Sequence, residues 1–264
     1  MIRLFREVRF AVNIEDDGQL ARSPTNSFAG YPSLLGIGYY FVLELSLLGK
    51  IDPATGCVIN IKDIDHIVRQ AAIPLVSAFV RRGRYGGGGL MLGKIYELLK
   101  DAWPGSVLHH IRLALSPFMT LTVFASEYPM IRFSQKFEFS ASHRLFNPAL
   151  SDADNQRLFG KCTNPHGHGH NYVLQVTMAG KPDVNGLLIE VPKFEQIVAT
   201  NVIDRFDHKN LNVEIDEFKD LIPTVENIAM VIFRLLKPPF DAVNAKLAGV
   251  TVWETPKTWC EYME

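Results

Sequence analysis

Two histidines separated by one glycine, His168 and His170, carry the most chemically specific spacing in this 264-residue sequence. In an extended strand residues i and i+2 project from one face, so both rings point the same way. Such a pair can grip one metal ion at the Zn–N distance of about 2.0 Å. Gly167 and Gly169 leave room for a close approach. A third ligand has to come from a neighbouring strand, and His143 is the candidate, because it shares a face with Phe137 and Phe139. His166 has the right parity, but at about 3.3 Å per residue its Cα lies about 13 Å from that of His170, too far to share an ion comfortably. Three neutral imidazoles with an open fourth position describe a catalytic zinc, whereas structural zinc sites fill all four positions with protein ligands. The competing reading, histidines satisfied by hydrogen bonds in a core, loses weight when two of them occupy H-x-H spacing on an apolar face.

The elements that must carry these side chains follow from periodicity. Residues 133–143 alternate, with Phe137, Phe139 and Ala141 on one side, and residues 168–178 alternate more cleanly, with His168, His170, Tyr172, Leu174, Val176 and Met178 facing one way. Pro192 suits a first helical turn, and Phe194, Ile197, Val198 and Val202 then recur at helical spacing. Thr224 caps a second helix carrying Ile228, Val231, Ile232 and Leu235, and residues 249–254 close as a strand. The order is β-β-α-α-β-β, an α+β arrangement with helices on one face of an antiparallel sheet.

The sequence also repeats itself. Residues 36–50 superimpose on residues 167–181 with six identities in fifteen positions, including the glycines at both ends. The first half reads as strands near 3–12 and 38–48, helices near 62–73 and 92–102, and a strand near 110–116. Two tandem modules are expected, 1–129 and 130–264. In the first, Ile37 and Tyr39 occupy the places of His168 and His170, and Asn13 or Ile14 that of His143. The apolar face is kept there and the ligands are not. The fold therefore does not need histidine at those positions, which favours function in the second module.

Composition excludes several classes. With 27 Lys+Arg against 28 Asp+Glu there is no bulk charge to attract nucleic acid or an anionic membrane. The longest apolar stretch, 34–48, is broken by Glu44 and falls short of the roughly 20 residues of a bilayer helix. Residues 1–7 carry charges where a signal peptide needs an apolar core. Three cysteines, Cys57, Cys162 and Cys260, are too few for a disulfide framework, so a cytoplasmic location is expected.

Five motifs in the second half, SASHRL at 140–145, FGKCTNPHGHGHNY at 159–172, DHKNLN at 207–212, TVEN at 224–227 and WET at 253–255, resemble the 6-pyruvoyltetrahydropterin synthase family. The resemblance spans about 132–264 and implies a T-fold, with tandem T-folds joining into barrel-forming homo-oligomers. It implies zinc on His143, His168 and His170, Cys162 as the base, Asp207 and His208 beside it, and Glu254 as the pterin anchor. The implied activity is a lyase of tetrahydrobiopterin biosynthesis acting on 7,8-dihydroneopterin triphosphate. Zinc on the substrate hydroxyls would lower their pKa and stabilise developing charge. A thiol near a cation can act as a thiolate base at neutral pH, and Asp207 can fix the tautomer of a proton-relaying His208. A carboxylate such as Glu254 suits the fork formed by the pterin 2-amino and N3 hydrogens. The family also contains 6-carboxytetrahydropterin synthase, of deazapurine (queuosine-type) biosynthesis. The five residues between Cys162 and His168 look more like the pyruvoyl enzyme. A pterin-binding zinc protein without turnover is the remaining alternative. Glu226 reads as a first-turn acid complementing the helix dipole.

The resemblance fails residue by residue in the first half. Tyr31 stands opposite Cys162, Ser77 and Ala78 near Asp207 and His208, and Leu115 near Glu254. Neither zinc nor catalysis is expected in 1–127. Residues 88–94 spell G-x-x-x-x-G-K, but Ile95 stands where a phosphate loop needs Ser or Thr. Residues 81–89 therefore read as a basic loop, whose Arg81, Arg82 and Arg84 are candidates for holding a triphosphate at a shared interface.

Overall fold

A computed structural model of the chain describes residues 1–14, 26, 28–81, 87–243 and 246–264. Arg82 and Arg84 lie outside these described residues. The chain divides into two compact units, Met1–Phe133 with Gly180–Leu188, and Ser134–Ala179 with Ile189–Glu264. Among the described residues no helix is long and apolar enough to cross a membrane.

In the first unit, β1 (Ile2–Asn13) pairs antiparallel with β2 (Gly38–Gly49), with Phe10 opposite Phe41. Helices α1 (Ile61–Arg81) and α2 (Gly88–Leu99) follow, then β3 (Ser106–Ser116) and β4 (Met119–Phe124). β3 pairs antiparallel with both β2 and β4. Val8, Phe10, Leu43, Leu45, Ile111 and Leu113 are buried on the sheet, and α1 presents Ile64, Val68, Ala72 and Val76, one per turn. Full burial of each large aliphatic side chain is worth about 1.5–3 kcal/mol. That stripe explains why α1 continues to Arg81 instead of ending at 73. Pro74 removes one helical hydrogen bond and marks a stop in the sequence, yet it is exposed, and Val76 lies buried on the next turn.

The first compact unit runs to Phe133 and also takes in Gly180–Leu188. The Gly89 N–H donates to the Gly186 carbonyl at 3.0 Å, and a Cβ on Gly186 would come within 2.5 Å of the Gly87 Cα. Backbone contacts this close fasten the segment to the start of α2, and residue periodicity carries no trace of them.

The second unit contains β5 (Ile131–His143), α3 (Asp152–Phe159), a 3₁₀ turn (Gly160–Thr163) and β6 (His168–Gly180). Helix α4 (Val191–Val198) runs through a π turn (Ala199–Ile203) into the short α5 (Asp204–Phe206). Then come β7 (Lys209–Asn210), α6 (Leu211–Glu214), α7 (Val225–Asp241), β8 (Lys246–Thr255) and β9 (Thr258–Tyr262). The strand order is β5-β6-β8-β9, and β7 lies parallel to β5. Phe139, Tyr172, Leu174, Val176, Val250 and Val252 face Phe194, Ile228, Ile232 and Phe240 in the core. The Thr224 hydroxyl accepts from the Asn227 N–H, capping α7 as its sequence suggests. α3 and the turn after it were not expected. They are polar and largely exposed, so they leave little apolar periodicity to read.

Candidate metal centre

His143 ends β5, and the inward alternation of Phe139 and Ala141 carries its ring into the core with no solvent exposure. Its Nδ1 lies 2.7 Å from the Pro223 carbonyl oxygen. A carbonyl only accepts, so Nδ1 carries the hydrogen and Nε2 keeps its lone pair. That lone pair faces Nε2 of His168 at 3.1 Å. His168 and His170 open β6 on its inner face, with ring centroids 4.8 Å apart. Gly167, just before them, has φ +71, and a Cβ there would meet the His143 carbonyl oxygen at 2.8 Å. Glycine is what lets β6 begin this close to the end of β5.

Ligand atoms of His143, His168 and His170 all lie within 4.8 Å of one another, and among the described residues this is the one such triad. Nδ1 of His168 and Nε2 of His170 are buried without a hydrogen-bond partner. An unpaired buried polar atom costs about 1–3 kcal/mol, which a ligand at the site would relieve for a nitrogen it binds. Donors on a tetrahedral zinc are separated by about 3.3 Å, so the 3.1 Å between His143 and His168 fits a shared ion. Burial pushes the His143 pKa down to about 4, against the Pro223 carbonyl, which raises it; His168 and His170 lower it further. Burial likewise lowers His170. Both rings are thus held neutral at physiological pH, the form a metal binds. Tyr172 lies beneath them, its hydroxyl 3.4 Å from Nδ1 of His143, and burial raises its pKa.

Glu254, on β8, places Oε1 3.3 Å from Nε2 of His143 and 3.6 Å from Nε2 of His170. Cys162 sits half-buried in the 3₁₀ turn as a free thiol. Its carbonyl accepts from the Leu145 N–H at 2.9 Å, which ties the turn to the chain just beyond His143. Three side chains that sequence reasoning did not single out hold this loop. Asn155 is buried and bonds Asn147, Leu150 and Ser151; Arg144 donates from Nε to the Thr163 carbonyl; Asn212 bonds both backbone groups of Arg144. Asn212 lies within the DHKNLN motif, which was the available signal.

Asp207 and His208 form a second group at the outer edge of β5. The Ser140 N–H donates to Asp207 Oδ1 at 2.7 Å, and Nδ1 of His208 lies 2.8 Å from Asp207 Oδ2. The Ser140 amide, then His208, holds the Asp207 carboxyl below its ordinary range. The His208 backbone has φ 58, and its N–H donates to the Ser140 carbonyl at 2.6 Å. Its side chain is 82% exposed. An open cleft of about 490 Å³ has both His170 and His208 in its lining.

In the first unit, Ile14, Ile37 and Tyr39 are exposed where the second unit gathers its histidines. The Gly89 amide is already spent on Gly186, which removes a phosphate donor from the G-x-x-x-x-G-K segment. His166 is exposed and outside the triad.

The family match falls on the half of the chain that holds this centre. A sequence model of the 6-pyruvoyl tetrahydropterin synthase family matches residues 132–264. The 6-pyruvoyl tetrahydrobiopterin synthase of Drosophila melanogaster is 37% identical over 143 residues, 52% of this chain and 82% of that protein. The Homo sapiens protein of the same name is 42% identical over 123 residues, 46% of this chain and 83% of its own length. A solved structure of Caenorhabditis elegans 6-pyruvoyl tetrahydropterin synthase is 37% identical, covering 52% of this chain and 96% of its own, with a TM-score of 0.48. With the match extending over half of its length and most of each relative's, the chain belongs to the 6-pyruvoyl tetrahydropterin synthase family.

Proposed function

We propose that this chain is a zinc-dependent lyase that takes 7,8-dihydroneopterin triphosphate and eliminates triphosphate. One side-chain hydroxyl then tautomerises from the resulting enol to a ketone, and the other carbinol becomes a carbonyl as its two hydrogens pass to the C6=N5 bond of the dihydropterin ring. One observation carries the reading: three imidazole nitrogens converge, and the hydrogen bond to Pro223 turns the lone pair of the most buried one toward its neighbours. His143, His168 and His170 would hold the ion. When bound, zinc supplies Lewis acidity that lowers the pKa of substrate hydroxyls.

Cys162 is assigned the proton removed from the substrate side chain, and its turn is braced against the end of β5 beside the cluster. Asp207 orients the His208 ring, which exchanges protons through Nε2 once Nδ1 is engaged. For Glu254, read from the resemblance as the pterin anchor, we favour a place at the side-chain end of the substrate, because its carboxylate lies 3.3 Å from Nε2 of His143 and 3.6 Å from Nε2 of His170.

The two units are read as tandem T-fold modules whose open edges, β1 and β9, are closed by further copies into a barrel-forming homo-oligomer in the cytoplasm. The first unit walls the assembly and carries no chemistry of its own in this reading. The spacing of Cys162 from His168 favours the pyruvoyl product over the carboxy product. Mass spectrometry of the product made from 7,8-dihydroneopterin triphosphate tests the substrate and separates the two. Recovery of unchanged substrate from zinc-loaded protein would refute the enzymatic reading. Cys162→Ala should lower turnover by about 10²–10⁴-fold with zinc content unchanged; retained activity would remove Cys162 from its role.

A further inference from the structure

We propose that Glu254 is a fourth protein ligand of the ion held by His143, His168 and His170, filling in the free protein the position that substrate oxygens take over. The inference rests on the three-histidine reading above and changes the state of that centre before substrate arrives.

The tautomer of His143 is the starting point. With its Nδ1 hydrogen directed at the Pro223 carbonyl, Nε2 is an acceptor, and Glu254 Oε1 faces it at 3.3 Å. The same oxygen lies 3.6 Å from Nε2 of His170, which is buried and has no hydrogen-bond partner. Two acceptors this close, Nε2 of His143 and Oε1 of Glu254, repel one another unless a cation lies between them. Both Glu254 spacings exceed the 3.1 Å between His143 and His168, and the three distances lie around the roughly 3.3 Å between donors on a tetrahedral ion.

A second, independent feature aims the side chain. Along β8, Glu254 shares its face with Val250 and Val252, which are fully buried and paired with Val176 and Leu174 of β6, so strand alternation turns it inward. On the other side, Trp253 remains in register opposite Val173 of β6, the strand that carries His168 and His170. The carboxylate stands on the side of the cluster made by His143 and His170, and side-chain rotation adjusts its reach while the backbone stays paired.

A carboxylate ligand has a chemical consequence. It offsets part of the ion's charge and retains the metal when no substrate is bound. A vicinal diol brings two oxygens and displaces it, so the ion becomes a stronger Lewis acid as substrate binds.

The test uses full-length protein loaded with cobalt(II), whose visible spectrum reports its ligands. Wild type, Glu254→Gln, Glu254→Ala and the exposed control Glu261→Gln are compared by chelator competition, by spectrum and by far-ultraviolet circular dichroism. Cobalt affinity should fall about ten- to a hundredfold in Glu254→Ala, less in Glu254→Gln, and not at all in Glu261→Gln. Neopterin, as a vicinal diol, should shift the wild-type spectrum toward that of Glu254→Ala. Unchanged affinity and spectrum in both folded Glu254 variants would overturn this proposal and leave the three-histidine centre standing. Failure of wild type to bind cobalt would overturn both.

Discussion

A neutral, buried imidazole is cheap to keep and expensive to charge, and His143 is the clearest instance in this chain. Its pKa of about 4 lies below the ordinary value of 6.5, with burial as the main cause. Between those values the unfolded chain binds a proton that the folded chain refuses, so stability rises with pH in that window. Metal-free protein should therefore have the full contribution above about pH 6.5 and lose it as the pH falls toward 4. Chemical denaturation of chelator-treated protein across that range measures the slope, which should be shallower in His143→Asn; equal slopes would show that another group sets it. At this scale the sequence was most informative. H-x-H on an alternating strand predicts two convergent rings whatever surrounds them. For Glu254, alternation with Val250 and Val252 gives the inward direction, but its nearness to the imidazoles depends on the pairing of β8 with β6, which local pattern does not encode.

Strand alternation located β5, β6 and β8, since a sheet with one buried face imposes a two-residue period on its sequence. Where other forces decide, pattern was a poorer guide. α1 passes through Pro74 because its buried stripe continues to Val76, while α3 carries no stripe at all. The join between β5 and β6 rests on Gly167, whose φ of +71 and whose contact with the His143 carbonyl both exclude a Cβ. Gly167→Ala adds about 1–2 kcal/mol of left-handed backbone strain, with the clash on top. Its thermal midpoint should drop, and its metal affinity should weaken because the start of β6 is displaced from His143. A variant with wild-type affinity would show that β6 can begin elsewhere without disturbing the triad.

At the scale of the whole molecule, the chain carries a family match on half of its length and divides into two compact units. Asn13 or Ile14, Ile37 and Tyr39 offer no imidazole where the second unit gathers three, so two units should bind one metal, not two. If the proposed barrel forms, sedimentation velocity should show a closed assembly larger than one chain; a monomer at micromolar concentration would refute it. The central claim concerns the histidines, and metal analysis of extensively purified wild type beside His168→Ala tests it most directly. The account expects about one zinc per chain in the wild type and almost none in the variant, with both proteins folded. Wild type devoid of metal, or a variant that binds as much as wild type, would contradict it.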